Sequence, residues 1–160
     1  MLKIIILRGP AGVGKSTVAE LLQKKLGENW VHLDIDKIKH TISETSSPIR
    51  SEIAHRVGKY FIEELLSNNF NIIVEEIFRE NFYKELLSLI ERSHSSVHKF
   101  FLRADINTLI TRNASRVKIK DHKTIQDLHS EIQPLEGEKI LETSNYSTEQ
   151  LAELIIKDLS

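Results

Sequence analysis

The stretch GPAGVGKST (Gly9–Thr17) constrains this chain more than any other. Gly9, Gly12, Gly14, Lys15 and Ser16 fit the spacing G-x-x-x-x-G-K-[ST]. The β-branched run KIIIL (Lys3–Leu7) precedes it, and apolar Val18, Leu21, Leu22 and Leu26 follow at helical spacing until Gly27 stops them. A strand, a glycine-rich turn and a helix in that order make a phosphate cradle. The glycines let backbone N–H groups converge, and the helix adds its positive N-terminal end. Gly9, Pro10, Ala11, Gly12, Val13, Gly14, Lys15, Ser16 and Thr17 are therefore expected to hold a nucleotide. Lys15 would reach its β- and γ-phosphates, and the Ser16 hydroxyl would take Mg²⁺.

The rest of the chain alternates in the same way. WVHL (Trp30–Leu33), FNIIV (Phe70–Val74), VHKFFL (Val97–Leu102) and a weak KIL (Lys139–Leu141) read as further strands. Between them lie helical patterns: Ile53, Val57, Tyr60, Phe61 and Leu65; Phe82, Leu86 and Ile90; and the stretch from Asn107 to Ser115. A last helix carries Leu151, Leu154, Ile155 and Leu159, and Ser147 to Gln150 opens it as a capping box. Alternating strands and helices predict an α/β fold, a parallel sheet with helices on both faces. Ligands then collect at the C-terminal strand ends.

Bulk properties exclude several classes. The 160 residues carry a net charge of −1 and no cysteine, so disulfides and thiolate metal sites are ruled out and a general polyanion-binding role is not indicated. One domain over 1–160 and a cytoplasmic location are expected, with the chain a monomer or homodimer. The N-terminal apolar run is too short for a membrane span.

The other strand ends supply chemistry. HLDIDKIKH places Asp34 and Asp36 two apart, on one side of an extended chain. Asp36 is the expected base or acceptor-orienting group and Asp34 a ligand of Mg²⁺ through water, with the reverse order as the alternative. One of them capping a helix near Lys37 is the competing reading. VEEIFRE offers Glu75 or Glu76 as the acid at the end of the third strand, with Glu75 taken as the metal-side residue. Arg79 would meet an anionic acceptor or pair with a glutamate. In TRNASRVKIKDHK, Arg112 and Arg116 share a helix face, and Lys118, Lys120 and Lys123 follow, so about 112–124 reads as a closing basic lid. The segment of about 38–66 is the expected acceptor region. Arg50, His55 and Arg56 are candidates to face the cleft, and Arg56 is taken as substrate-binding, while His55 reads more simply as a partly exposed helix residue. A guanine-reading Asn-Lys-x-Asp loop and a D-x-x-G motif are both missing from the sequence, which excludes a GTP switch.

With GPAGVGKST, LDIDKI, FFLRADINTLITRNASR and ILETSNYSTEQLAELI in place, the chain resembles the small phosphate-loop kinases of the nucleoside-monophosphate-kinase type, an AAA-type ATP-binding group. It looks nearest to gluconate kinase, shikimate kinase, chloramphenicol phosphotransferase and the kinase domain of polynucleotide kinase. The resemblance implies a three-layer P-loop NTPase fold with five strands in order 2-3-1-4-5 and a small lid. It implies ATP with Mg²⁺, an acceptor-activating aspartate at Asp36 or Asp34, and lid arginines at Arg112 and Arg116. It also implies an adenine border at Thr143 to Asn145, which includes Asn145. The chain departs from the pattern at Glu75-Glu76, where an aspartate is more usual. The expected activity is phosphoryl transfer from MgATP to a small-molecule hydroxyl. A nucleotide or nucleic-acid-end kinase, or a non-catalytic ATP-binding regulator, are the alternatives, and nucleic acid is the less expected partner.

Overall fold

The run KIIILR forms β1 (Lys3–Arg8), the central strand of a five-stranded parallel sheet in the order β2-β3-β1-β4-β5. Its neighbours are β2 (Trp30–Asp34), β3 (Asn71–Glu76), β4 (Ser96–Arg103) and β5 (Lys139–Glu142). The helices are α1 (Lys15–Leu26), α2 (Ile35–Ile42), α3 (Pro48–Ser67), α4 (Glu80–Arg92), α5 (Ile106–Ala114), α6 (His122–Glu131) and α7 (Thr148–Asp158). This computed structural model describes residues 1–43, 45–115 and 120–159.

Successive side chains of a strand point to opposite faces, so β1 feeds two cores. Ile5 and Leu7 pack with Val18, Leu22, Leu151 and Ile155 on the α1 and α7 side. Ile4 and Ile6 pack with Ala54, Ile62, Leu86 and Ile90 on the α3 and α4 side. All four β1 residues are fully buried, and each contributes about 1.5–3 kcal/mol by leaving water. Burial on both faces explains why β1 reads as an unbroken apolar run.

The buried face of the long helix α3 keeps Leu65 of the expected stripe and is otherwise rotated away from it. Ala54, Gly58, Ile62 and Leu65 point inward, whereas Val57, Tyr60 and Phe61 are 46%, 67% and 44% exposed. Close helix approach is the reason. A Cβ at Gly58 would stand 2.5 Å from Ile35 Cδ1 on α2, so this contact selects small residues and not the largest apolar ones. Ser47 caps α3 by accepting from the Arg50 N–H at 3.3 Å, with Pro48 in the first turn.

Helix α6 lies where no helical period was read, so helix now occupies both ends of the expected lid range of 112–124. Arg112 is in α5, and α6 starts at His122, capped by Asp121. Arg116 and Lys118 lie outside the described residues.

Gly9 leaves β1 at φ 148°, and a Cβ there would meet the Leu102 carbonyl oxygen at 2.3 Å. Gly9→Ala is expected to cost at least about 2–3 kcal/mol from overlap and backbone strain together. Urea denaturation checks this, and an unchanged midpoint would show that β1 and β4 yield there.

Candidate active site

The loop between β1 and α1 opens onto a cleft of about 600 Å³ at the C-terminal ends of the strands. Residues Ala11 to Val18 form its floor, and Asp34, Asp36, Lys37, His40, Glu75 and Ile77 line one end. Arg112, Lys120, Thr143, Tyr146, Thr148 and Leu151 line the other. Gly14 ends the loop as the left-handed N-cap of α1, at φ 102°, a conformation that glycine adopts without strain. Lys15 is 8% exposed, and its ammonium donates to the carbonyls of Gly9 (2.9 Å) and Pro10 (3.1 Å). Burial pushes its pKa down, and the charges of Glu75, Asp36, Glu76 and Asp34 oppose that shift.

β3 runs through both glutamates instead of ending before them, so Glu75 and Glu76 point to opposite faces. Glu75 turns to the phosphate loop. Its Oε2 accepts from the Ser16 hydroxyl at 3.0 Å, and its Oε1 meets His32 Nε2 at 2.8 Å. Glu76 turns to the other side and joins a buried network. It contacts the Lys39 ammonium, His55 Nε2 at 3.2 Å and the Phe78 N–H. Lys39 also reaches Asp36 Oδ1 at 3.1 Å, and His55 stacks on Phe82 with ring centroids 3.8 Å apart. His55 is thus 6% exposed, where a partly exposed helix residue was expected. A buried carboxylate must be paired, and that requirement enforces its burial.

Burial acts to raise the Glu76 carboxyl, but the His55 hydrogen bond and the Lys39 charge overcome it and hold the pKa at about 2. A depressed carboxyl stabilises the fold fully above its ordinary value of 4.5 and ceases to do so as pH falls towards 2. Glu76→Gln is therefore expected to lose up to about 3 kcal/mol near pH 6 and little near pH 2. Urea midpoints of both proteins across that range test it, and a gap that does not narrow would remove Glu76 as the source.

Asp34 and Asp36 meet at one end of the cleft, but not through extended chain. The strand stops at Asp34, whose Oδ1 caps α2 by accepting from the Lys37 N–H at 3.2 Å, and Asp36 lies in the first helical turn. Burial, then the Glu75 charge, raise the Asp34 pKa. Arg112 spans the opposite wall. It donates to the Val13 carbonyl (3.3 Å), to Thr143 Oγ1 (2.9 Å) and to the Thr143 carbonyl (3.0 Å). Next to it, the buried Asn113 amide donates to the Lys120 carbonyl (2.7 Å) and accepts from its N–H (3.0 Å), pinning the start of the segment that leads to α6.

Three expected residues lie elsewhere. Arg79 pairs with Glu131 of α6 at 2.6 Å, the second of the two fates expected for it, and does not line the cleft. Arg56 is on the exposed face of α3, over a separate shallow depression with Lys59, Tyr60 and Lys84. Asn145 is exposed and does not line the cleft, whereas Thr143 of the same expected stretch lines it together with Tyr146. His32 and Lys39 went unread as site residues, and the available signal was their position one turn or one strand away from acidic strand ends.

Ser16 Oγ and Glu75 Oε2 are in contact, and Asp34 and Asp36 line the same end of the cleft, so the nearby donors are oxygens. No cluster of three or more His, Asp or Glu among the described residues forms a metal cage. Oxygen donors suit Mg²⁺, which keeps waters and phosphate oxygens as ligands beside one or two carboxylates.

A family model described as "AAA domain" matches residues 5–134. The chain belongs to this family. A search of curated proteins found no match. Solved structures share the fold. The APS kinase of Mycobacterium tuberculosis in complex with AMPPNP and APS has a TM-score of 0.80 at 17% identity, covering 99% of this chain and 97% of that one. A gluconokinase from Sinorhizobium meliloti 1021 has 0.75 at 14%, covering 98% and 91%. The Deinococcus radiodurans tunicamycin resistance protein has 0.71 at 20%, covering 100% and 96%. This AAA-domain chain therefore has a kinase-like P-loop NTPase fold. No described helix is long and apolar enough to cross a membrane.

Proposed function

We propose that the chain transfers the γ-phosphoryl of MgATP to a hydroxyl of a small molecule. The observation that carries this reading is the meeting, in one cleft, of the phosphate loop, the Ser16–Glu75 pair, Asp34 with Asp36, and Arg112. Phosphoryl transfer needs positioning and charge neutralisation more than covalent help from the protein.

The loop N–H groups would hold the phosphates. Lys15 would exchange the carbonyls of Gly9 and Pro10 for the β- and γ-phosphate oxygens, a short move for a long side chain. Ser16, Asp34 and Glu75 would hold Mg²⁺, which when bound supplies charge neutralisation across the β- and γ-phosphates. Asp36 would accept the proton of the acceptor hydroxyl. The acceptor oxygen forms its bond to the γ-phosphorus as the bond to the β-phosphate oxygen breaks, and ADP leaves. Lys39 orients Asp36 from behind, and Glu76 with His55 fixes Lys39. Arg112, Thr143 and Tyr146 would border the base. A lid around 112–124, with Arg116 approaching the phosphoryl, would exclude water.

An ATP-consumption screen over hydroxylated metabolites, nucleosides and hydroxylated drugs tests the proposal, with Lys15→Met as the control. Turnover that Lys15→Met lowers by about 10²–10³-fold supports it. MgATP binding without transfer to any compound sinks it.

A further inference from the structure

Among the described residues, most arginines and lysines around the acceptor side of the cleft either pair with protein groups or lie away from it. Arg8 is buried against Glu138 (2.7 Å), and Arg79 is held by Glu131 (2.6 Å). Arg50 gives Nη1 to the Ser43 carbonyl at 2.6 Å and does not line the cleft, and Arg56 faces a different depression. Lys39, 9% exposed, is shared by Asp36 and Glu76. Lys37 does line the cleft, but Asp34 and Glu20 each lie 3.9 Å from its ammonium. Among the described residues, Asp34, the half-exposed Asp36, His40 and the apolar Ile77 also line this end.

A carboxylate or phosphate on an acceptor is ordinarily recognised by arginine, which offers a planar fork of donors. Among the described residues no arginine fork opens on this end, and an anion there would face two aspartates. Carboxylates at the wall instead accept hydrogen bonds from hydroxyl or ammonium groups. Resting on the phosphotransfer reading, we infer that the acceptor is a polyhydroxyl compound without an anionic group, either neutral or amine-bearing, read through donors that it presents to Asp36. Ile77 supplies one apolar wall for its carbon skeleton.

The test uses the full chain with ATP and Mg²⁺ on three scaffold-matched sets. These are neutral polyols and nucleosides; amino sugars, aminocyclitols and amino alcohols; and phosphorylated or carboxylated counterparts of both. Products are identified by ³¹P NMR. The best acceptor is expected in the first two sets, with its anionic counterpart lower in kcat/KM by about 100-fold or more, since opposed like charges cost several kcal/mol. Comparing those two sets separates the neutral source from the amine-bearing one. A best acceptor in the anionic set overturns the inference and leaves the kinase reading standing. Silence across all three sets, with MgATP bound, overturns both.

Discussion

Asp36→Asn slows phosphotransfer by about 10²–10⁴-fold and leaves ATP affinity within a few-fold, if Asp36 takes the acceptor proton. Asparagine keeps the size of the side chain and loses only the basic oxygen. Lys39 keeps its second partner, Glu76, so the network behind position 36 survives the change. The effect should therefore appear in kcat and not in KM for ATP. Asp34→Asn is the comparison. Asp34 is the less exposed of the two, caps α2 and borders Glu75, so its loss should instead raise the Mg²⁺ concentration needed for half-maximal rate. Steady-state kinetics on both variants at several Mg²⁺ concentrations decide the matter. If the larger kcat loss falls on Asp34→Asn, with the Mg²⁺ dependence unmoved, the two roles are exchanged.

The parts of this molecule that local chemistry dictates are legible in its sequence. Glycine spacing after a β-branched run marks the phosphate loop, strand and helix alternation predicts the parallel sheet, and Ser147 with Gln150 announces the capping box seen at α7. Parts decided by partners distant in sequence are not legible. The periodic stripe of Ile53, Val57, Tyr60 and Phe61 looks like the buried face of α3, but the contact with Ile35 selects Gly58, which turns the neighbouring face inward. The pair Glu75-Glu76 looks like one acidic strand end. Strand alternation sends one carboxylate to Ser16 and the other to Lys39 and His55, and those partners lie tens of residues away. Arg79 offered two destinations, and only the fold brings Glu131 close enough to choose between them.

Arg8→Met is expected to destabilise the fold by about 3–5 kcal/mol, a large share of the 5–15 kcal/mol typical of a domain. Arg8 ends β1 with its guanidinium between the rings of Phe101 (4.9 Å) and Tyr83 (5.4 Å). It donates to both oxygens of Glu138, at 2.7 and 2.8 Å, and to the carbonyls of Gln133 and Phe78. The Glu138 side chain is fully buried, so methionine would fill the volume and strand an uncompensated charge. The cost comes from that orphaned carboxylate and not from the worth of the ion pair itself. The double variant Arg8→Met with Glu138→Gln should accordingly recover most of the loss, since the amide oxygen can still accept from the Leu135 N–H, now at 2.7 Å from Glu138. Urea unfolding of the three proteins measures this, and a single variant within about 1 kcal/mol of the parent would show that water reaches Glu138. The consequence extends to the cleft. Arg8 immediately precedes Gly9 and ties β1 to the left-handed turn at Phe78, which follows Glu76 and Ile77. Loss of the tie therefore loosens the phosphate loop and the acceptor wall together, so the single and the double variant should both bind nucleotide more weakly than the parent, even where the double variant recovers its stability.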